Sequence, residues 1–310
     1  MPAVSTLHQA SALTAYAQTL GVGGLSWPRI FPMQPVDKIS DKYYTFGREE
    51  LYSGDVLAQA PGTAPGEGDF SASTTTYTSY KYRWRSRMTD EELSNQDAAV
   101  RAQYRRTRLA YNKVQIAAEK RVQVLVYATA SYGATAAAAA GWSTATAAQI
   151  EKDIEDAIET VQKTAGLDPN TIIIPAPNAK MAKRAFNAIR QYTDATLIQQ
   201  ATLGETVPLF GLNLLVPGGI TNTANPGQTA TIGRIWTSTS AVVAVAYINP
   251  DPGVTDASWT ATFRWRPYGS SGEKAWTYEN DDTESTFVEY GLHQTEDITS
   301  ASCAAGITGV

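Results

Sequence analysis

Few side chains in this sequence could move protons or hold a metal. Imidazole is limited to His8 and His293, and the single thiol is Cys303. A histidine-based triad would have to use a residue near the N-terminus or one in a β-rich C-terminal stretch. Neither histidine has a nucleophile-like context, so both read as surface or packing residues. One cysteine excludes an internal disulfide and a cysteine-built metal site, and it leaves the redox compartment unread. No G-x-x-x-x-G-K-[ST] loop, H-E-x-x-H helix or C-x-x-C pair occurs, and Gly218, Gly219 and Gly233 are isolated loop glycines. The acidic group Glu279, Asp281, Asp282 and Glu284 lacks calcium-loop spacing and reads as a solvated turn. No catalytic, cofactor-binding or metal-binding residue is therefore predicted, although carboxylates alone retain acid–base capacity.

Two basic sets remain. Arg101, Arg105 and Arg108 share one face of a helical stretch, with Arg106 and Lys113 close by. Lys81, Arg83, Arg85 and Arg87 alternate with Tyr80, Tyr82 and Trp84, so cations and aromatics occupy opposite faces of a strand. The plain reading of the first set is a solvated helix surface; that of the second is charge that keeps a ribbon from sticking. The functional reading is contact with another macromolecule. The chain carries a formal net charge of −5. That balance argues against a protein that coats nucleic acid and favours a neighbouring subunit as the partner of both sets.

The elements that must position these residues begin with a spine from Thr89 to about Ala130, free of Pro and Gly. Thr89 and Glu92 form a capping-box signature, with Asp90 and Glu91 also at the positive end of the helix dipole. Leu93, Val100, Tyr104, Tyr111, Val114, Ala118, Val122 and Leu125 draw one apolar stripe. Such a helix would be about 60 Å long, too long for one wall of a compact domain.

Before the spine, residues 46–88 read as one long hairpin. Glu50 to Ala60 is the first limb, APGTAPGEGD the turn, and FSASTTTYTSYKYRWRSR the return. A two-stranded ribbon is marginal alone and needs another surface to lie on. Residues 1–45 form an N-terminal arm, with a short helix near Ala10 to Leu20 and anchors at Trp27, Ile30, Phe31 and Met33 that would hold a neighbouring subunit.

After the spine, Ala134 to Ala140 reads as a helical continuation or close-packed link. Helix Thr146–Thr164, strand Thr171–Pro175, a helix from about Asn178 to Ala195, strand Gly211–Val216 and buried strand Ala241–Ile248 make a mixed α/β unit. Asp251-Pro252-Gly253 opens an all-β segment. There Trp259, Ala261, Phe263 and Trp265 alternate with polar residues as a strand with one buried face, and the last residues rejoin the α/β unit. The longest apolar run is far too short to span a bilayer, and the first basic residue is Arg29, so a soluble, non-secreted chain without a membrane partner is expected.

This order of parts resembles the major capsid protein of tailed bacteriophages, the Hong Kong 97-type fold shared by encapsulin shells. The local match is Trp142, the helix holding Asp153, Ile154, Ala157 and Val161, then Gly166 and Pro169-Asn170-Thr171-Ile172-Ile173-Ile174. The resemblance implies an α+β chain with an arm (1–45), an extended loop (46–88), a peripheral domain (89–135 and 251–297) and an axial domain (136–250 and 298–310). It implies a virion shell of pentamers and hexamers around double-stranded DNA, assembled in the host cytoplasm, with no cofactor and no catalysis. Portal, scaffolding and decoration proteins are further partners it allows. Trp27, Phe31, Lys81, Arg83, Arg85, Arg101, Arg105 and Arg108 become candidate intersubunit contacts. Some relatives join a Lys and an Asn of different subunits, but nothing identifies a partner for Lys81, and no crosslink is predicted. The alternatives are an encapsulin-type nanocompartment shell and an α+β enzyme whose hairpin is a lid.

Overall fold

The computed structural model describes residues 13–17, 25–46, 72–94, 99–188, 206–225, 227–251, 257–269 and 271–310. The helices are α1 (residues 13–17), α2 (Trp27–Ile30), α3 (Asp90–Ser94), α4 (Ala99–Tyr127), α5 (Ala147–Ala165) and α6 (Ala176–Ala188). The strands are β1 (Met33–Val36), β2 (Ser40–Phe46), β3 (Ala72–Thr78), β4 (Tyr80–Thr89), β5 (Ala134–Ala137), β6 (Thr171–Ile173), β7 (Thr206–Leu209) and β8 (Leu212–Leu215). They continue with β9 (Ile220–Asn222), β10 (Ile232–Arg234), β11 (Val242–Ala246), β12 (Thr260–Trp265), β13 (Glu273–Asn280), β14 (Ser285–Ile298) and β15 (Ala304–Thr308).

Strand β14 is the axis of a five-stranded sheet. Gln294 is in register with Tyr80 on one side and Arg264 on the other, so β4 lies along one edge of β14 while β12 and β13 follow each other along the opposite edge. β1 adds to β12 in parallel. Helix α4 covers one face. Ala110 and Val114 pack with Ala275, Tyr290 and Leu292, and Ala102 packs with Met88 and Val288. Helix α1 closes this core with Leu13 and Ala17, and its Thr14 hydroxyl donates to the Ala275 carbonyl.

The second sheet runs β5-β15-β11-β6-β8-β7. β11 is buried along its whole length, and α5 lays Ile150, Ile154, Ala157 and Val161 on this core. Both ends of α5 are set by local chemistry. Thr146 and Gln149 form a reciprocal capping box, and Gly166 takes the left-handed conformation at φ 63° that favours glycine. Ala118, Val122 and Val126 of α4 enter this second core, so one helix belongs to both.

Several expectations are corrected. The spine does not start its helix at Thr89: Thr89 ends β4, and its hydroxyl caps α3 by accepting from the Glu92 amide. Residues 95–98 lie outside the described residues, and the described run Ala99–Tyr127 is about 43 Å long. The hairpin's return limb divides at Ser79. β3 pairs with β2, which is the first limb among the described residues, whereas β4 pairs along ten residues with β14 and buries Ser86 and Met88 in the sheet. Glu50 to Ala60 and the hairpin turn lie outside the described residues. Ala134–Ala137 is a strand parallel to β15. The Gly133 amide donates to the carbonyls of Ala301 and Ala304, and that pairing outweighs alanine's helix propensity. β12 is buried on both faces, because Thr262 donates to the Phe31 carbonyl and Arg264 is held by Gln294 and Glu273.

Gly133 sits where the end of the spine meets β15, and a Cβ there would lie 2.8 Å from the Ser302 Cα. The obstacle is backbone, so it cannot swing aside. Gly133→Ala should destabilise the chain by about 1–3 kcal/mol in denaturant unfolding, whereas a loss below about 0.5 would mean that this junction yields.

Candidate assembly interface

The strand row of cations faces outward from the five-stranded sheet, as alternation requires, but it is engaged with its own sheet. Arg83 pairs with the buried Glu289 at 3.2 Å. Arg85 donates to the Tyr278 hydroxyl and lies over the Phe287 ring, and Arg87 donates to the Thr283 carbonyl. Lys81 stands 5.0 Å above the Tyr268 ring. Lys81, Arg83 and Arg85 nonetheless remain exposed, and across β14 the matching positions of β13 hold Lys274 and Trp276.

On α4 the arrangement differs. Arg106 is bonded to Glu92, and Arg121 makes a two-pronged pair with Glu296 at 2.7 and 2.8 Å while stacking on Tyr82. Arg105 and Arg108 are exposed. The side chain of Arg101 lies outside the described residues.

Trp27 and Phe31 do not face a neighbour. Both are buried in this chain's own core, at 4% and 0% exposure, beside α4 and β12. The expectation that they anchor the arm on another subunit is corrected for a physical reason: a carboxylate within α4 already holds this part of the arm. Glu119, the lone acid of α4, is fully buried and accepts three N–H bonds. These come from the Ser26 amide (3.0 Å), the Trp27 amide (2.8 Å) and the Trp236 indole (2.6 Å). The Trp27 indole donates to Gln115, one turn earlier. Burial pushes the Glu119 carboxyl above the usual carboxylate range, while the three donors pull it back. Sequence reading overlooked Glu119; the available signal was a single acid set within an apolar stripe on a basic helix.

His293 is a packing residue, as expected. Its Nδ1 is 2.7 Å from the Ser79 hydroxyl, at the point where β3 gives way to β4, and its ring lies against Trp265 and Tyr268. Burial first, and then the Lys81 charge, lower its pKa below 6.5. His8 lies outside the described residues. Among the described residues no group of three or more His, Cys, Asp or Glu could hold a metal, and no helix is long and apolar enough to cross a membrane.

No protein-family model and no curated protein matches this chain. Solved structures do. A phage-related protein from Bordetella bronchiseptica RB50 aligns over 96% of this chain and 95% of its own, with a TM-score of 0.67 and 19% identity. The capsid of cyanophage P-SCSP1u aligns over 90% and 86% (TM-score 0.59, 13% identity). A virus-like particle from Pyrococcus furiosus aligns over 98% and 100% (TM-score 0.56, 8% identity). At these identities the likeness is one of fold. The chain has the Hong Kong 97-type capsid fold, an α+β architecture followed from end to end.

Two predictions follow from these buried groups. Glu119→Gln keeps the shape but turns an amide N–H₂ toward a donor. It should cost about 1–3 kcal/mol in denaturant unfolding, and Glu119→Ala, which strands all three donors, should cost more. An indifferent Glu119→Ala would show that these bonds hold nothing. For His293 the folded pKa is depressed, so its neutral form contributes stability that is complete above 6.5 and is lost as pH falls toward the folded value. The stability advantage of wild type over His293→Gln should therefore shrink between about pH 8 and about pH 5. A constant difference across that range would overturn the assignment.

Proposed function

We propose that this chain is a structural shell subunit, the major capsid protein of a tailed-phage type particle. It assembles as pentamers and hexamers into an icosahedral shell around double-stranded DNA. The observation that carries this reading is the β2–β3 ribbon, on a chain that follows the capsid fold over nearly its whole length. Among the described residues, it is anchored at its base, where Tyr43 and Tyr77 pack on Phe263. A ribbon of this kind gains little from its own subunit and much from lying across another, and a closed shell repeats such a contact many times. The exposed row Lys81, Arg83 and Arg85, at the foot of the ribbon, is the surface on which a neighbour would rest. Its cations are already oriented by Tyr268, Glu289 and Tyr278, which lowers the ordering cost of a contact.

On this reading the work of the protein is self-assembly rather than catalysis, in the host cytoplasm and then in the virion, with portal, scaffolding and decoration proteins as further partners. A second reading is an encapsulin-type compartment. The end-to-end alignment with the archaeal virus-like particle favours keeping it, and the two differ in contents, nucleic acid or protein.

Electron microscopy and sedimentation of the purified chain should show polyhedral shells or rings of five or six. Replacing residues 47–71 by a short Gly-Ser turn should leave the circular dichroism spectrum and melting temperature near wild type while abolishing closed shells. If wild type stays a small globular oligomer at every concentration, the shell reading fails. If the shortened chain still closes shells, the hairpin is not what joins the subunits.

A further inference from the structure

The two basic sets look alike in sequence, but the structure separates them. Every member of the strand row has a partner in its own sheet or in the turns that join its strands. Along α4, by contrast, Arg105, Arg108, Lys113 and Lys120 are exposed, and among the described residues none of them is ion-paired. Lys113 rests only against the Trp84 ring, at 5.7 Å. Glu119 is the only carboxylate on α4, and it is buried. The exposed side of the helix therefore carries cations without a single acid, over about 22 Å of axis from Arg105 to Lys120.

Keeping it so is unfavourable for the isolated chain. Like charges three and four residues apart on a helix repel, and a few Glu residues would relieve this at no cost to the core. The rest of the exposed surface is balanced the other way, since the whole chain is at −5. An acidic protein with a cationic ridge that no described residue neutralises meets a polyanion along that ridge and repels it elsewhere.

We infer that this ridge of α4 is the surface that contacts the phosphate backbone of nucleic acid, through Arg105, Arg108, Lys113 and Lys120 and without reading sequence. The inference rests on the shell reading and adds to it which face looks inward. A duplex presents one charge per about 1.7 Å of axis, so each of four cations spread along a straight helix can reach a phosphate. Guanidinium groups at Arg105 and Arg108 suit two-pronged phosphate contact. The competing occupant is a neighbouring copy of this chain, for which the exposed Leu109 and Val124 on the same side would be the natural contacts.

The test is binding of a random-sequence duplex to the full chain, taken as unassembled subunits, across a range of salt concentrations, with particle formation followed by sedimentation on the same samples. For four phosphate contacts, log K should fall with log salt at a slope of about −3.6, an affinity loss of roughly 150-fold between about 50 and about 200 mM salt. Arg105→Gln with Arg108→Gln should reduce the slope by about two, and adding Lys113→Gln and Lys120→Gln should leave almost none. Lys152→Gln with Lys163→Gln on α5, and Leu109→Ser with Val124→Ser, should leave the slope at its wild-type value. A slope unmoved by the fourfold variant overturns the inference. So do ridge variants that bind duplex like wild type but no longer form particles, because the ridge would then be a contact between copies. Wild type that forms no particles yet keeps a ridge-dependent slope supports the inference and sinks the shell reading instead.

Discussion

A charged group in the middle of a helix that joins two cores is the constraint on which this structure turns. Before this point α4 packs on the five-stranded sheet through Ala102, Ala110 and Val114; from Ala118, beside Glu119, onward it enters the other core with Val122 and Val126. A buried carboxylate at that crossover is tolerable only if donors meet it, because an unpaired charge in such a place costs several kcal/mol. The donors come from the arm at Ser26 and Trp27 and from the loop at Trp236. Neither segment can leave without stranding the charge. Apolar burial would hold the same three pieces near each other; the carboxylate fixes their orientation.

The other titratable groups that lie inside are likewise used for architecture. Arg264 bridges Gln294 and Glu273 within the sheet, Tyr290 donates to Glu273, and Arg121 clamps Glu296 from α4 onto β14. His293 braces the break between β3 and β4. Each of these named groups is satisfied by a fixed partner, and each adds rigidity at a junction between elements.

Much of this was legible from residue types and spacing, and the exceptions share a cause. α5 was readable end to end because its signals are local: the Thr146 cap, the stripe at Ile150, Ile154 and Val161, and the Gly166 stop. The opposite faces of β4 were readable for the same reason. What could not be read was partnership across the chain. Trp27 and Phe31 looked like anchors for a neighbour because nothing nearby in sequence could bury them, yet Glu119 and β12 do so from more than ninety residues away. Ala134–Ala137 looked like a helical continuation or a close-packed link because a parallel strand at the far C-terminus cannot be inferred from alanines. Thr262 and Arg264 looked exposed because their acceptors, the Phe31 carbonyl of the arm and the Gln294 side chain two strands later, are not local either.

The two basic sets carry this lesson into function. Lys81, Arg83 and Arg85 owe their order to rings and a carboxylate on β13, β14 and the turn between β12 and β13, whereas among the described residues nothing pairs with Arg105 or Arg108. A pre-ordered cation loses little entropy on meeting a specific partner and suits a contact of fixed geometry. A free cation on a long side chain adapts to a partner whose charges are regular but whose position is not. The fold keeps the two kinds apart, pre-ordered cations along β4 and exposed, adaptable ones along α4. The proposed shell subunit would use that separation, one kind for the neighbour that must sit in register and one for contents that need not.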